Sequence, residues 1–449
     1  MNPNPSPTSG MSDAQGRGLA AACRPRWGFT TRVAFRFFSL YLGLYILLTQ
    51  MLPSVVPFWR WGVLSNKAIV NTPVFWIIRH VFHDTRQLAV LGGSGDKKFD
   101  WVFTLTLLVV SVVVTAIWSV LDRKRPNYTS AHAWVRLYIR LGLAGTMMTY
   151  GIVKFVPLQM PAPSLSRLLE PFGNFSPMGV LWASVGASSP YERLLGSAEL
   201  LAAALLFIPY TAALGAIVSL FDTLQVFALN MTYDVPVKLL SFHLVLMSLF
   251  LLAPDIKRLL NVVILKGYDA LFPRGWSPRF TQAAVALQVV LGAYLFATGY
   301  LQVSRSFFAT IGPAAPKPSL YGIWNIEKMT IDGVERLPLV TDYDRWRRVL
   351  VDGAATQPLM VFWRMDDSLD QLPASIDTNK GLITLTQGPP ASRKVVGSLM
   401  FKQLRPETLV LSGDFRGKAI RMETVLLPRD KFMLTSRGFH WIQELPFNR

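Results

Sequence analysis

Cysteine is nearly missing from this chain: Cys23 is the single one in 449 residues. One thiol excludes an intrachain disulfide, a cysteine-rich zinc site and a Cys-x-x-Cys redox pair. Charge is scarce as well, at 16% of residues against 51% hydrophobic, where a soluble globule carries roughly 25%. Acidic residues are the scarcer sign, 27 against 45 Lys and Arg, leaving a net charge of +18. The basic residues cluster between apolar runs rather than along one polar face, which argues for orientation at a membrane and against a nucleic-acid partner. The opening "MNPNPSPTSGMSDAQGRG" lacks the early apolar core of a secretory signal peptide. Residues 1–30 read as a disordered cytoplasmic tail, and the first apolar run as an uncleaved anchor. A nucleotide loop is missing too, because "GGSGDKK" has no strand before it and no helix after it.

What is present is a series of apolar runs of the length that crosses about 30 Å of hydrocarbon. Spans are predicted near Val33–Phe58, Trp101–Leu121, Trp134–Pro157, Tyr191–Pro209, Thr211–Asn230, Val237–Ala253 and Phe280–Val303. These make an α-helical bundle of about seven spans within residues 31–303. Pro209 and the short "NMTYDVP" make the fourth to sixth spans tightly connected antiparallel neighbours. Arg24, Arg26, Arg32 and Arg36 precede the first span, "DRKRPNY" follows the second, and "PDIKRLLNVVILKGYDALFPRGWSPR" follows the sixth. With seven spans all three basic groups share one side, so the N-terminus is cytoplasmic and everything after Val303 periplasmic, in an inner (cytoplasmic) membrane. Segment Trp59–Asp100 is external yet basic; within it "NKAIVNTPVFWIIRHVF" reads as an amphipathic helix lying along the outer interface.

The character changes after a Pro/Ala linker over residues 304–319. From residue 320 to 449 the chain reads as short β-type runs between turn signals, "GLITLTQGPP" and "ETLVLSGDFRG" among them. Such spacing predicts an antiparallel meander, either a small barrel or a curved sheet, with one helical turn or short helix at "DYDRWRRVLVDG". The opening Gly322-x-Trp324 is similar to that of lipocalin-like barrels. That likeness implies an indole plugging the barrel floor with Arg437 stacked on it; the alternative is an ordinary core Trp. Asp366, Asp367 and Asp370 read as a solvated turn, and no nucleophile motif is visible.

An ionisable group near the bilayer centre costs roughly 2.5–3.5 kcal/mol on insertion scales, so it pairs, faces the bundle interior or reaches water. The candidates are Lys154, Glu199, Asp222, Gln225 and His243. Counted at 1.5 Å per residue, Lys154 lies about 5 Å, His243 about 10 Å, and Glu199 and Asp222 about 12 Å below the outer boundary. Three readings stand side by side. Lys154–Glu199 and His243–Asp222 ion pairs would merely pin helices; together with Gln225 the five would line a ligand pocket; or the group belongs to a proton or ion pathway. Small residues Gly196, Ser197, Ala198 and Ala202 beside Glu199 permit close helix approach in each case. His243 is the one histidine within the predicted spans, which leaves no paired-His haem site. His80 and His83 beside Asp84 lack a third ligand at a fixed spacing, so no metal site is assigned.

The run from Leu137 to about Leu260 resembles the DoxX-like family of membrane proteins. The residues that carry the likeness are "YGIVKF" at the end of one helix and "GSAELLAAALLFIPYTAALGA", a Gly-x-x-Glu followed by an apolar helix, a break and another helix. The resemblance implies a four-helix core over 137–260, with Lys154 and Glu199 at the family's recurrent polar positions. Some members are associated with quinone-linked oxidation of sulfur compounds or with oxidoreductase assemblies. The expectation is an accessory subunit, or a quinone- or lipid-binding protein, with an outer-leaflet polar pocket capped by a periplasmic β domain that docks a partner protein. The alternative is the membrane subunit of an oxidoreductase passing electrons from a periplasmic donor to quinone.

Overall fold

The computed structural model describes residues 26–55, 68–85, 96–263, 278–310, 312, 314–438, 440, 441 and 443. Most of the N-terminal tail with Cys23, part of the 59–100 segment, most of "GGSGDKK" and much of the last aromatic run lie outside the described residues. The chain forms two compact units, one of Met1–Met148 with Leu201–Leu295, the other of Thr149–Leu200 with Phe296–Arg449.

The first unit is helical. Its longer helices are α1 (Phe29–Leu48), α2 (Ala68–His80), α3 (Lys98–Leu121), most of α4 (Thr129–Phe155), the end of α7 (Ser189–Phe207), α8 (Ala212–Thr232), α9 (Lys238–Leu252) and much of α10 (Pro278–Arg305). Among the described residues five helices are long and apolar enough to cross a membrane: Phe29–Leu48, Lys98–Leu121, Pro209–Thr232, Lys238–Leu259 and Gln282–Thr310. The chain is thus a membrane protein by length and composition. Helices α4 and α7 stand outside that set, their apolar runs interrupted by Arg136, Arg140 and Lys154, and by Glu192, Arg193 and Glu199. Several faces are inverted relative to a water-soluble bundle. Helix α3 buries Ser111 and Thr115 while exposing Val109, Val110, Val112, Val113 and Ile117, and α8 buries Gly215, Ser219 and Thr223 while exposing Phe221 and Leu224. In lipid no hydrophobic force separates these faces; small side chains go inside because they let backbones approach.

The helix ends are clasped by side-chain bonds. Arg32 donates to the carbonyls of Arg123 and Arg125 at 3.1 and 2.7 Å. Arg36, 2% exposed, donates to the Tyr128 hydroxyl from Nε and Nη2 at 2.9 and 2.7 Å, to Ser119 Oγ at 2.9 Å and to the Asp122 carbonyl at 2.8 Å. Arg136 donates to the Leu251 carbonyl and Asp255. The start of α1, the end of α3, the start of α4 and the end of α9 are therefore joined. At the opposite ends, the Asp96 carboxylate just before α3 accepts the Lys238 and Leu239 amides at 2.7 and 2.9 Å, capping the start of α9.

The second unit contains the junction of α4 and α7, two short helices between them, α5 (Leu165–Leu169) and α6 (Pro177–Gly186), and a β domain. Strands β1 (Gly322–Ile331), β3 (Trp346–Ala354), β4 (Gln357–Arg364), β5 (Leu369–Asp377), β6 (Leu382–Gln387), β7 (Lys394–Arg405), β8 (Thr408–Phe415) and β9 (Lys418–Leu427) pair antiparallel in chain order. β1–β9 pairing closes them into an eight-stranded barrel, and the two-residue β2 (Val334–Glu335) folds back on β1. Of the two β architectures expected, the barrel is the one observed. Its interior is packed with side chains, Trp324, Met329, Trp346, Phe362, Phe415 and Met422 among them, and is a core rather than a ligand cavity. Trp324 sits 2% exposed with its indole N–H donating to the Leu320 carbonyl at 2.9 Å. The deeply buried arginine of the barrel is Arg345, which donates to the Arg336, Trp346 and Ile326 carbonyls; Arg437 donates to Gln443.

One expected element differs. The stretch Asp342–Gly353 forms a turn and then β3, not a helical turn or short helix. A bulge between Trp346 and Arg348 inserts an extra residue, so the inward residues Trp346, Val349 and Val351 start with a helix-like spacing of three before returning to alternation. The hairpin that follows turns at Gly353, whose φ of +87° a Cβ would oppose by meeting the Gln357 carbonyl oxygen at 2.6 Å. On the outer barrel face, Ile323, Leu350, Val361 and Trp363 bury Leu165 of α5 completely, while Asp352 accepts the Leu165 amide at 3.1 Å. Ser164 caps α5 by accepting the Arg167 amide. The barrel and the α4–α7 connection are thus packed together.

Candidate functional site

The last turns of α4 cross the first half of α7 at two glycines. A Cβ on Gly196 would strike the Phe155 amide and stand 2.7 Å from the Gly151 carbonyl oxygen; one on Gly151 would stand 3.0 Å from the Leu200 backbone nitrogen. These contacts set the helix separation, and two polar side chains meet there. Lys154 Nζ and Glu199 Oε1 form an ion pair, 6% and 4% exposed. Taking two charges out of water costs several kcal/mol each, offset only by a close partner. Close backbone packing supplies that closeness.

Seven residues before Glu199, on the same face of α7, lies a second buried carboxylate. Glu192 is 0% exposed, its Oε1 accepts the Met160 amide at 2.8 Å, and the Lys154 charge acts on it. Above this turn the Trp182 indole donates to the Gln159 carbonyl at 3.0 Å, and Gly186 of α6 is pressed against the Met160 and Pro161 carbonyls, 2.7 Å from the Met160 oxygen for a Cβ. The arrangement is a Glu–Lys–Glu group with one positive and two acidic members.

Of the five sequence candidates, Lys154 and Glu199 are brought together; the other three belong to the helical unit. His243 spends both ring nitrogens locally. Its Nδ1 donates to the Leu239 carbonyl at 2.6 Å, and its Nε2 shares a hydrogen bond with the Tyr41 hydroxyl at 2.8 Å. The ring stacks on Tyr45 with centroids 3.7 Å apart. This imidazole ties α9 to α1, and the His243–Asp222 ion pair weighed from sequence is replaced by these bonds. Asp222 is half-buried on α8, and Gln225 faces outward beside Phe221 and Leu224. His80 is exposed, stacked on Trp76 with Nδ1 2.9 Å from its carbonyl.

Glu192 is the residue that sequence reasoning missed. It stands in "SSPYERLL", a polar helix start where an acidic residue is ordinarily a solvated partner of the helix dipole. The readable signal was its seven-residue spacing from Glu199. The comparisons with known proteins leave its chemistry open. No family model matches the chain, and no solved structure matches it. An uncharacterized protein of Bacillus subtilis (strain 168), YwoB, is 32% identical over 132 residues, 27% of this chain and 78% of that protein's length. Identity at that level over more than two thirds of the relative shows the family: the chain belongs with the uncharacterized protein YwoB.

Proposed function

We propose that this chain is a multi-pass inner-membrane protein that binds quinone or lipid in the outer leaflet at the Lys154–Glu199 site, and serves as an accessory subunit rather than a self-contained enzyme. In this reading the four-helix core over 137–260 is DoxX-like, seven helices span, the N-terminus is cytoplasmic, and the periplasmic barrel caps the site or docks a partner protein. The observation that carries it is the buried Glu192–Lys154–Glu199 group, held by a glycine-on-glycine crossing in a part of the chain with few other charges. Groups so costly to bury in a membrane protein are kept where they meet a ligand or move with one.

The orientation is supported by the clasped helix ends. The Arg32, Arg36 and Arg136 clasps join ends that a seven-span chain holds on one side, and those ends carry Arg123, Lys124 and Arg125. The Asp96 cap joins ends that it holds on the other. Docking of Leu165 on the barrel requires an even number of crossings between them, which α7, α8, α9 and α10 supply. The test of binding is mass spectrometry of small molecules that co-purify with gently solubilised protein. A quinone or lipid present in the parent and lost in Glu199→Gln and Lys154→Met is the expected result; folded variants that retain it sink the proposal for these residues. A C-terminal alkaline phosphatase fusion should be active, and an inactive one overturns the periplasmic barrel.

A further inference from the structure

Helix α4 carries two arginines one turn apart, and they are compensated unequally. Arg136 donates to the Leu251 carbonyl and to Asp255 at 2.9 and 3.1 Å, and the other oxygen of Asp255 meets Arg258 at 3.5 Å. That carboxylate is already shared by two guanidiniums. Arg140 is half-buried and donates from Nη2 to a neutral group, Gln288 Oε1 of α10. Among the described residues its Nε is buried with no hydrogen-bond partner, and the charge that acts on it is the like charge of Arg136. Gln288 is 8% exposed, and its Nε2 donates to the Ala284 carbonyl at 2.8 Å, which holds the amide oxygen toward Arg140. One neutral acceptor leaves most of a guanidinium's five donors, and all of its charge, unmatched.

The surroundings name the anion that would match it. Leu287, Val289 and Val290 flank Gln288 and are exposed, so Arg140 stands at the edge of an apolar surface of a kind that lipid covers. Side chains on an α-helix lean toward its N-terminus. For Arg140 that is toward Arg136, about 6 Å along the axis, and so toward Asp255 just past the end of α9. Trp134, exposed two residues before Arg136, is of the type found at headgroup level.

We infer that Arg140, with Gln288 beside it, binds the phosphate of an acidic membrane lipid in the leaflet of the clasped helix ends, the acyl chains lying along α10 over Leu287 and Val290. A guanidinium takes a phosphate through two parallel N–H bonds. Three arginines to one carboxylate leave an excess of positive charge, which selects an acidic headgroup over a zwitterionic one that carries its own ammonium. This site is separate from Lys154–Glu199 further along α4 and does not depend on it.

The test uses the full-length protein, stripped of lipid in detergent. Native mass spectrometry measures binding of phosphatidylglycerol and of phosphatidylcholine with the same chains, and melting temperature is followed with each lipid and with sodium phosphate. The parent should bind phosphatidylglycerol at least about fivefold more tightly, roughly the worth of one cationic residue at an anionic lipid surface. Arg140→Gln should bring the two affinities together. Gln288→Glu supplies the carboxylate from the protein itself, so without lipid it should melt above the parent, and it should lose the preference even if Arg140→Gln does not fold. A parent without the preference, or a folded variant of either kind that keeps it, overturns the inference. So does sodium phosphate that stabilises the parent as much as phosphatidylglycerol does, since the ligand is then a soluble anion.

Discussion

At the scale of single residues, the molecule handles buried charge in two ways. Arg36 is fully engaged: the Tyr128 oxygen accepts from it twice, and the Tyr128 hydroxyl donates to Asp122 Oδ2 at 2.7 Å. Tyr128→Phe leaves part of the buried guanidinium unpaired and should cost about 1.5–3 kcal/mol, the range for hydrogen bonds to charged groups. The same bond, first among its causes, holds the Asp122 carboxyl below the usual carboxylate range. A carboxyl lowered by folding adds stability above its unfolded pKa of about 4 and loses it as pH falls through the folded value. The parent's melting temperature should therefore fall more steeply than that of Tyr128→Phe as detergent solutions are taken from pH 6 to pH 3, and parallel curves would refute the link. Lys154 and Glu199 behave differently. Lys154→Met alone strands a carboxylate and should cost about 3–5 kcal/mol, whereas Lys154→Met with Glu199→Leu should be near neutral, as replaced buried pairs often are. Chemical denaturation of the two variants decides it: equal losses would mean the pair contributes through something other than mutual compensation. These two residues were legible in the sequence because each interrupts an apolar run. Glu192 was not, because at a polar helix start a buried carboxylate and a solvated one look alike.

At the scale of elements, intrinsic preference and packing pull in opposite directions. Gly196 lies inside a helix, where Ala is favoured over Gly by about 1 kcal/mol. Its missing Cβ is what lets α7 meet the Phe155 amide and the Gly151 carbonyl. Overpacking of this kind costs about 1–3 kcal/mol, and the contacting atoms are backbone, which cannot rotate away. Gly196→Ala should therefore destabilise the protein, read as a lower melting temperature, while Ala202→Gly in the same helix should do so by loss of propensity and packing without separating the crossing. A stabilised Gly196→Ala would show that the crossing is looser than drawn. The strands illustrate the limit of pattern reading. β6 was legible because its inward Ile383 and Leu385 keep strict alternation. The start of β3 carries a helical signal because one bulge gives its first two inward residues the spacing of a helix. The amphipathic segment predicted near the outer interface is found as α2 over Ala68–His80, where an apolar face marked by the buried Val74 and Ile78 alternates with exposed residues at helical spacing.

At the scale of the whole molecule, the sequence speaks through charge and the structure through which helix ends meet. Basic residues alone leave the proposed external placement of the 59–100 segment awkward, since it carries six of them. Helix-end bonds do not count charges. Asp96 of that segment caps α9, which ties the segment to the end of the bundle opposite the Arg32 and Arg36 clasps. In the proposed orientation the bonds say which ends share a side and the charges say which side that is, and the scarcity of cysteine makes it easy to test. In whole cells a membrane-impermeant maleimide should leave Cys23 unlabelled until the membrane is permeabilised. With Cys23→Ser as background, Asn379→Cys at the exposed β5–β6 turn should react without permeabilisation, and Lys124→Cys, in the α3–α4 turn, only after it. Labelling of positions 124 and 379 from the same side would contradict the seven-span count, because an odd number of crossings must separate them: α4, α7, α8, α9 and α10 make five. Four or six would put positions 124 and 379 on one side of the membrane.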